Sequence, residues 1–225
     1  MTFSLLGRCP RTGMLGMVIA SSSLAVAARC AHARAAVGVV ATQNITDPAL
    51  GFKGLDLLAD GLEAPQALER LKTQTAHIEY RQLALLDSQG RTAAFSGAKT
   101  LGVHAVEVGK DAVAAGNLLA NTHVPRSMLT SFHEREALDL GDRLLDSLNA
   151  GLVAGGEASP VHSAGLILVH DVQWPVTDLR VDWCDEDPIA ELTAVWRRWK
   201  PQMRQYTIRA LNPVDAPSYG VAGDP

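Results

Sequence analysis

Two groups able to do nucleophilic chemistry meet in a single residue near the start of this chain. Thr2 follows Met1, and once Met1 is removed it carries a β-hydroxyl beside a free α-amine. The hydroxyl can attack a carbonyl while the amine takes its proton. An unperturbed α-amine has a pKa of about 7.7–8.0, so a good share of it is neutral near pH 7. The plainer reading is that a threonine at position two merely permits methionine removal. What separates the two is whether the rest of the chain supplies the other parts of a site.

An attacked carbonyl develops an oxyanion, which needs hydrogen-bond donors aimed at it beforehand. Asn117, at the end of an expected strand, is the first candidate, and the Gln43-Asn44 pair is the second. Each of these amides could equally serve to satisfy loop backbone. Ser21 ends the strand expected to pair with the first one and could hydrogen-bond the Thr2 amine. Asp182 could orient that amine or hold its ammonium form, and Arg180 could grip an anionic substrate group in a bidentate fork. An Arg-x-Asp strand with both groups salt-bridged for structure is the alternative. His162 precedes an apolar strand and reads either as a buried histidine or as a contact to substrate. Cys184 beside Asp182 leaves a Cys/His pairing with His162 open, though spacing alone establishes no contact.

The elements that must position these residues follow from hydrophobic patterning. Residues 2–8 and 14–20 are apolar runs joined by Cys9-Pro10-Arg11-Thr12-Gly13, which predicts a hairpin. Neither run alternates cleanly, so both faces should be covered. Residues 25–34 read as a short helix or loop, and 36–42 as a third strand. Two amphipathic helices are expected over 50–62 and 65–73, with Pro65 near the first turn of the second. A second hairpin spans 80–86 and 91–95, followed by strands at 103–108 and 112–116. Helices at 127–135 and 140–152 come next, then an exposed Gly-Gly loop at 155–160. Strands at 164–169 and 179–183 and a helix at 189–199 complete the pattern. The segment 201–225, with prolines and little periodicity, reads as an arm or tail after a single domain over 1–200. Helices come in packets rather than after every strand, which favours antiparallel sheets with helices outside them. The expected class is α+β, a four-layer αββα sandwich.

Bulk properties exclude several classes of function. Apolar residues make up 47% of the 225 and charged residues 20%, which are globular values. With a net charge of −4 and no basic block, a nucleic-acid surface is not expected. There is no run of about 18 apolar residues for a membrane span. Arg8 and Arg11 interrupt the apolar N-terminus before a signal sequence can develop, so the cytoplasm is the expected compartment. Cys9, Cys30 and Cys184 are widely spaced, and no C-x-x-C pair occurs. Neither a disulfide framework nor a metal site is expected, and no cofactor is implied.

Several short segments, taken together and in order, resemble the bacterial N-terminal-nucleophile-like hydrolases catalogued as domain of unknown function 1028. They include Thr2-Phe3-Ser4-Leu5-Leu6, Thr12-Gly13-Met14-Leu15-Gly16 and Ala41-Thr42-Gln43-Asn44. Also similar are 54–62, Tyr80-Arg81-Gln82-Leu83, Ser96-Gly97-Ala98, Gly116-Asn117-Leu118, Ser163-Ala164-Gly165 and Leu179-Arg180-Val181-Asp182. The resemblance covers residues 2 to about 192 and implies the αββα fold and an N-terminal threonine nucleophile. Arg81 and Gln82 fall at matched strand positions and become candidate substrate contacts. The chain departs from the family at Asp182-Trp183-Cys184, where Asp-Asp-His is common. It departs again at Glu157-Ala158-Ser159-Pro160-Val161-His162, where an Arg-rich loop is common, and after Trp199. Those departures bear on substrate recognition and leave Thr2 untouched.

The expected function is cleavage of a small-molecule amide, N-acyl or carbamoyl C–N bond by Thr2. The alternative is a catalytically inactive binding or regulatory member of the same fold, in which Met1 stays and blocks the base. A homo-oligomer, a dimer or larger, is expected from the apolar stripe Ile189, Leu192, Trp196 and Trp199.

Overall fold

Every strand in the structure, a computed structural model that describes residues 1–222, pairs antiparallel with its neighbours. The first sheet holds β1 (Thr2–Arg8), β2 (Leu15–Ser21), β7 (Ala105–Gly109), β8 (Ala112–Asn117), β9 (Ser163–Val169) and β10 (Thr177–Val181), in the order β10-β9-β2-β1-β8-β7. The second holds β3 (Ala31–Arg34), β4 (Gly38–Asn44), β5 (Arg81–Asp87) and β6 (Thr92–Ser96) in chain order. Helices α2 (Ala49–Ala59) and α3 (Ala64–Gln74) cover the second sheet. The helices α4 (Val124–Glu134), α5 (Leu140–Val153) and α6 (Pro188–Trp199) cover the first. The architecture is therefore the four-layer α+β sandwich, with the short α1 (Val26–Cys30) beside β9.

Strand periodicity divides the apolar residues among three cores. In β1, Phe3 and Leu5 face the helices with Phe132 and Leu144, while Leu6 faces the other sheet with Met17, Val39 and Leu86. In β5, Leu83 and Leu85 face α2 and α3, and Ala84 and Leu86 turn inward. Side chains alternate faces at every residue. A strand with apolar layers on both sides therefore reads as an unbroken apolar run.

Four expectations need correcting. Residues 31–34 form a strand, not part of a helix or loop. Its inward residues are Ala31 and Ala33, and so small an apolar signal is easily lost beside His32 and Arg34. The 155–160 segment is not an exposed loop, because Gly156 and Glu157 are buried. Ala120 N–H donates to Gly156 O at 3.0 Å, and Ala158 N–H to Leu118 O at 3.0 Å. The supposed arm contains α7 (Met203–Leu211), with Tyr206 stacked on Trp199 at 5.0 Å; residues 223–225 of it lie outside the described residues. Most of the stripe on α6 is covered within the chain: Ile189, Leu192 and Trp196 are buried and Trp199 is partly buried. Trp196 lies over Gly141, where an added Cβ would come within 2.3 Å of the indole. Three of the four stripe residues therefore need no second copy to cover them.

Among the described residues no helix is long and apolar enough to cross a membrane.

Candidate active site

β1 lies at the centre of its sheet, and its first residue sits between two polar strand ends. Thr2 is opposite Asn117 of β8, and the register Phe3↔Ala20 sets it beside Ser21 of β2. All three side chains share the face of Leu6, Met17 and Val113, so they point between the sheets. From the second sheet, Gln43 and Gln82 point to the same place, with the parity of Ala41 and Ala84. Thr2 is 4% exposed, and Asn117, Ser21, Gln43 and Gln82 are fully buried.

The amides form one network whose orientation a backbone carbonyl dictates. Gln82 Nε2 donates to Gly116 O at 2.9 Å, an acceptor that cannot be flipped, and also to Ser96 Oγ at 2.9 Å. Gln82 Oε1 must then accept, from Gln43 Nε2 at 2.7 Å and from Asn117 Nδ2 at 3.0 Å. Gln43 Oε1 in turn accepts from Ser4 Oγ at 2.9 Å. Asn117 Oδ1 is left buried with no hydrogen-bond partner among the described residues. A buried orphan acceptor costs about 1–3 kcal/mol, and this one lies beside the residue of interest.

A second cluster surrounds the terminus itself. The hydroxyls of Thr2 and Ser21 both donate to the Met1 carbonyl. Ser21 Oγ also lies 2.8 Å from Ser23 Oγ, which accepts from Arg29 Nη2 at 2.9 Å. Behind Ser21, the Ser22 N–H reaches both carboxylate oxygens of Glu157, at 3.0 and 3.2 Å. Burial pushes the Glu157 carboxyl up to about 7, against the opposing pull of Ser22, of the N-terminal amine and of Ser21. Glu157 is the residue that sequence reading missed. The contact spans 135 residues, and Gly-Gly-Glu-Ala reads as a solvated turn.

The remaining candidates lie elsewhere. Asn44 and Arg81 follow the opposite parity and face outward. Asn44 Nδ2 donates to Tyr80 O at 2.6 Å and Asn44 Oδ1 accepts from Leu101 N, while Arg81 donates to the Ile45 carbonyl. Both brace loops. Asp182 is exposed, with Arg180 Nε 3.8 Å from its carboxylate. Thr2, Ser21, Ser163 and Asp182 lie on one row across four strands, so three spacings put Asp182 about 14 Å from Thr2. His162 donates its backbone N–H to Ser21 O at 2.9 Å, and its ring stacks on Trp183 at 4.4 Å. Its Nδ1 meets the Cys184 carbonyl at 3.0 Å, while Cys184 packs against the helical core. No contact joins that thiol to the imidazole among the described residues.

The family model described as "Family of unknown function (DUF1028)" matches residues 2–192. A crystal structure of a protein of that family from Silicibacter pomeroyi is similar over 91% of this chain and 94% of its own, with a TM-score of 0.83 and 28% identity. Eukaryotic HslV from Trypanosoma brucei aligns with a TM-score of 0.46 and 10% identity over 75% of this chain and 99% of its own. Anbu from Yersinia bercovieri aligns at 0.39 and 10% over 91% and 97%. No curated protein matches.

Proposed function

The chain belongs to the family of unknown function DUF1028, and we propose that it hydrolyses a small-molecule amide, N-acyl or carbamoyl C–N bond with Thr2 as nucleophile. The observation that carries this reading is the placement of Thr2 on a central strand, between Asn117 and Ser21, against a buried amide network. Elsewhere the layer between the sheets is packed with aliphatic side chains, and polar groups buried there need a full set of partners. A wall of neutral amides suits a neutral amide or carbamoyl group.

Removal of Met1 frees the Thr2 amine and takes away the carbonyl that both hydroxyls now address. Thr2 Oγ then attacks the substrate carbonyl carbon, and the Thr2 amine accepts the hydroxyl proton. Asn117 Nδ2 gives one proton to Gln82 and keeps a second for the oxyanion, while Asn117 Oδ1 accepts from the Thr2 amine or hydroxyl. The C–N bond breaks as the ammonium returns its proton to the leaving nitrogen. Water, deprotonated by the same amine, then cleaves the acyl ester and restores Thr2. Ser21 orients the amine, and Glu157, held on the Ser22 N–H, places a carboxyl behind that cluster, from which Asp182 is too distant.

A non-removable N-terminal tag turns the amine into an amide and should abolish turnover on a panel of small N-acyl and carbamoyl compounds, with the fold unchanged. Thr2→Ala should be equally inactive, and Thr2→Ser should retain turnover. Full activity with the tag attached would rule the mechanism out. One observation favours a second reading: in the intact chain the Met1 carbonyl already satisfies both hydroxyls. That suits an inactive binding member in which Met1 is retained.

A further inference from the structure

The first sheet has six strands and the second four, so the inner face of β10 has no strand opposite it. Leu179 packs into the helical core, which turns Asp178 and Arg180 to the uncovered inner face. There α1, the edge strand β3 and α2 stop short of β10 and leave a cavity of about 250 Å³. Asp178, Arg180, His32 and Phe52 line it, together with alanines of α1 and β3. Arg180 lies on the row Ser4, Ile19, Gly165, three strand spacings or about 14 Å from β1. The cavity is therefore separate from the Thr2 cluster.

Its polar groups are arranged as complementary halves. Arg180 has no hydrogen-bond partner among the described residues, and its 3.8 Å approach to Asp182 is a loose ion pair. Asp178, two residues earlier on the same strand face, supplies an anion about 7 Å away along the strand. His32 is 7% exposed, and its Nε2 is buried without a partner. Burial lowers the His32 pKa, against a hydrogen bond to the Arg29 backbone, and the ring packs on Gly51 of α2, where an added Cβ would come within 2.5 Å of Nε2, so it closes a wall of the cavity. Phe52 is 58% exposed and meets the His32 ring edge-on at 4.8 Å. A carboxylate alone would leave Asp178 opposed, and a cation alone would leave Arg180 opposed.

We propose that this cavity binds a small α-amino acid with an apolar side chain. Its carboxylate lies on Arg180, its ammonium donates to Asp178, and its side chain lies against Phe52, the His32 ring and the alanines. The site is a second one, independent of the chemistry at Thr2.

Titration of the full chain with L-leucine, followed by NMR of the His32 imidazole and the Gly165 and Ile167 amides, tests this directly. Saturable shifts are expected at those positions. Arg180→Gln and Asp178→Asn, both at exposed side chains, should each weaken binding about ten- to hundredfold while thermal unfolding stays unchanged. L-Leucinamide, which lacks the carboxylate, and 4-methylpentanoate, which lacks the ammonium, should weaken by a similar factor. Absence of saturable shifts, equal binding of all three compounds, or shifts centred on Thr2 and Asn117 would each overturn the assignment.

Discussion

The ends of β4 and β5 carry two adjacent pairs of polar residues, and the pleat sends the members of each pair to opposite sides. Gln43 and Gln82 turn inward, fully buried, into the amide network beside Thr2. Asn44 and Arg81, cross-strand partners of each other, turn outward and hold loop carbonyls. Composition and sequence position are nearly the same; what differs is the layer each side chain enters. In the inner layer a hydrogen bond lost leaves other fully buried groups unpaired, whereas Asn44 and Arg81 are only partly buried. The proposed chemistry accordingly draws on the inner set, while the outer set holds loop geometry.

The contrast is broken most severely at Gln82. Gln82→Ala strands Gln43 Nε2, Asn117 Nδ2 and the Gly116 carbonyl together, and should cost on the order of 4 kcal/mol in denaturant unfolding, with turnover lost as well. Asn117→Ala should lower turnover about 10²–10³-fold with a smaller change in stability; near-normal turnover would pass the oxyanion role to Gln43.

Glu157 sharpens the contrast through pH. Its folded pKa of about 7 stands above the ordinary 4.5, so the folded chain keeps a proton that the unfolded chain has lost. Its contribution is fully present below about pH 4.5 and is lost as pH rises through 7, by on the order of 3 kcal/mol. Glu157→Gln should flatten that slope when urea midpoints are compared at pH 5 and pH 8. The smallest effect is expected on the outer side. Asn44→Ala removes two loop contacts and places alanine at φ 74°. It should cost about 1–2 kcal/mol and leave turnover intact.

Much of this architecture is legible in the sequence because long apolar strands and amphipathic helices carry strong periods. The first hairpin, the β5–β6 hairpin and the helix packets fall where patterning puts them. The strand β3 is lost because its inward residues are only alanines. In the candidate site, Thr2, Ser21 and Asn117 are legible as strand ends, but which amide of Gln43-Asn44 or Arg81-Gln82 faces inward needs the parity of Ala41 and Ala84. Glu157 is not legible as a buried residue. Its burial is created by backbone bonds from the 156–158 loop to Leu118 and Ala120, which no local pattern encodes. The same holds for the cavity at Arg180, which exists because one sheet is two strands wider than the other.

The central claim is that Thr2 becomes a free N-terminal nucleophile. Intact-mass spectrometry of the untagged protein, before and after exposure to a small activated ester such as p-nitrophenyl acetate, tests it most directly. The account predicts a chain lacking Met1 that gains one acetyl group on Thr2, and no such adduct in Thr2→Ala. A chain that keeps Met1 throughout, or an adduct that persists in Thr2→Ala, would contradict it.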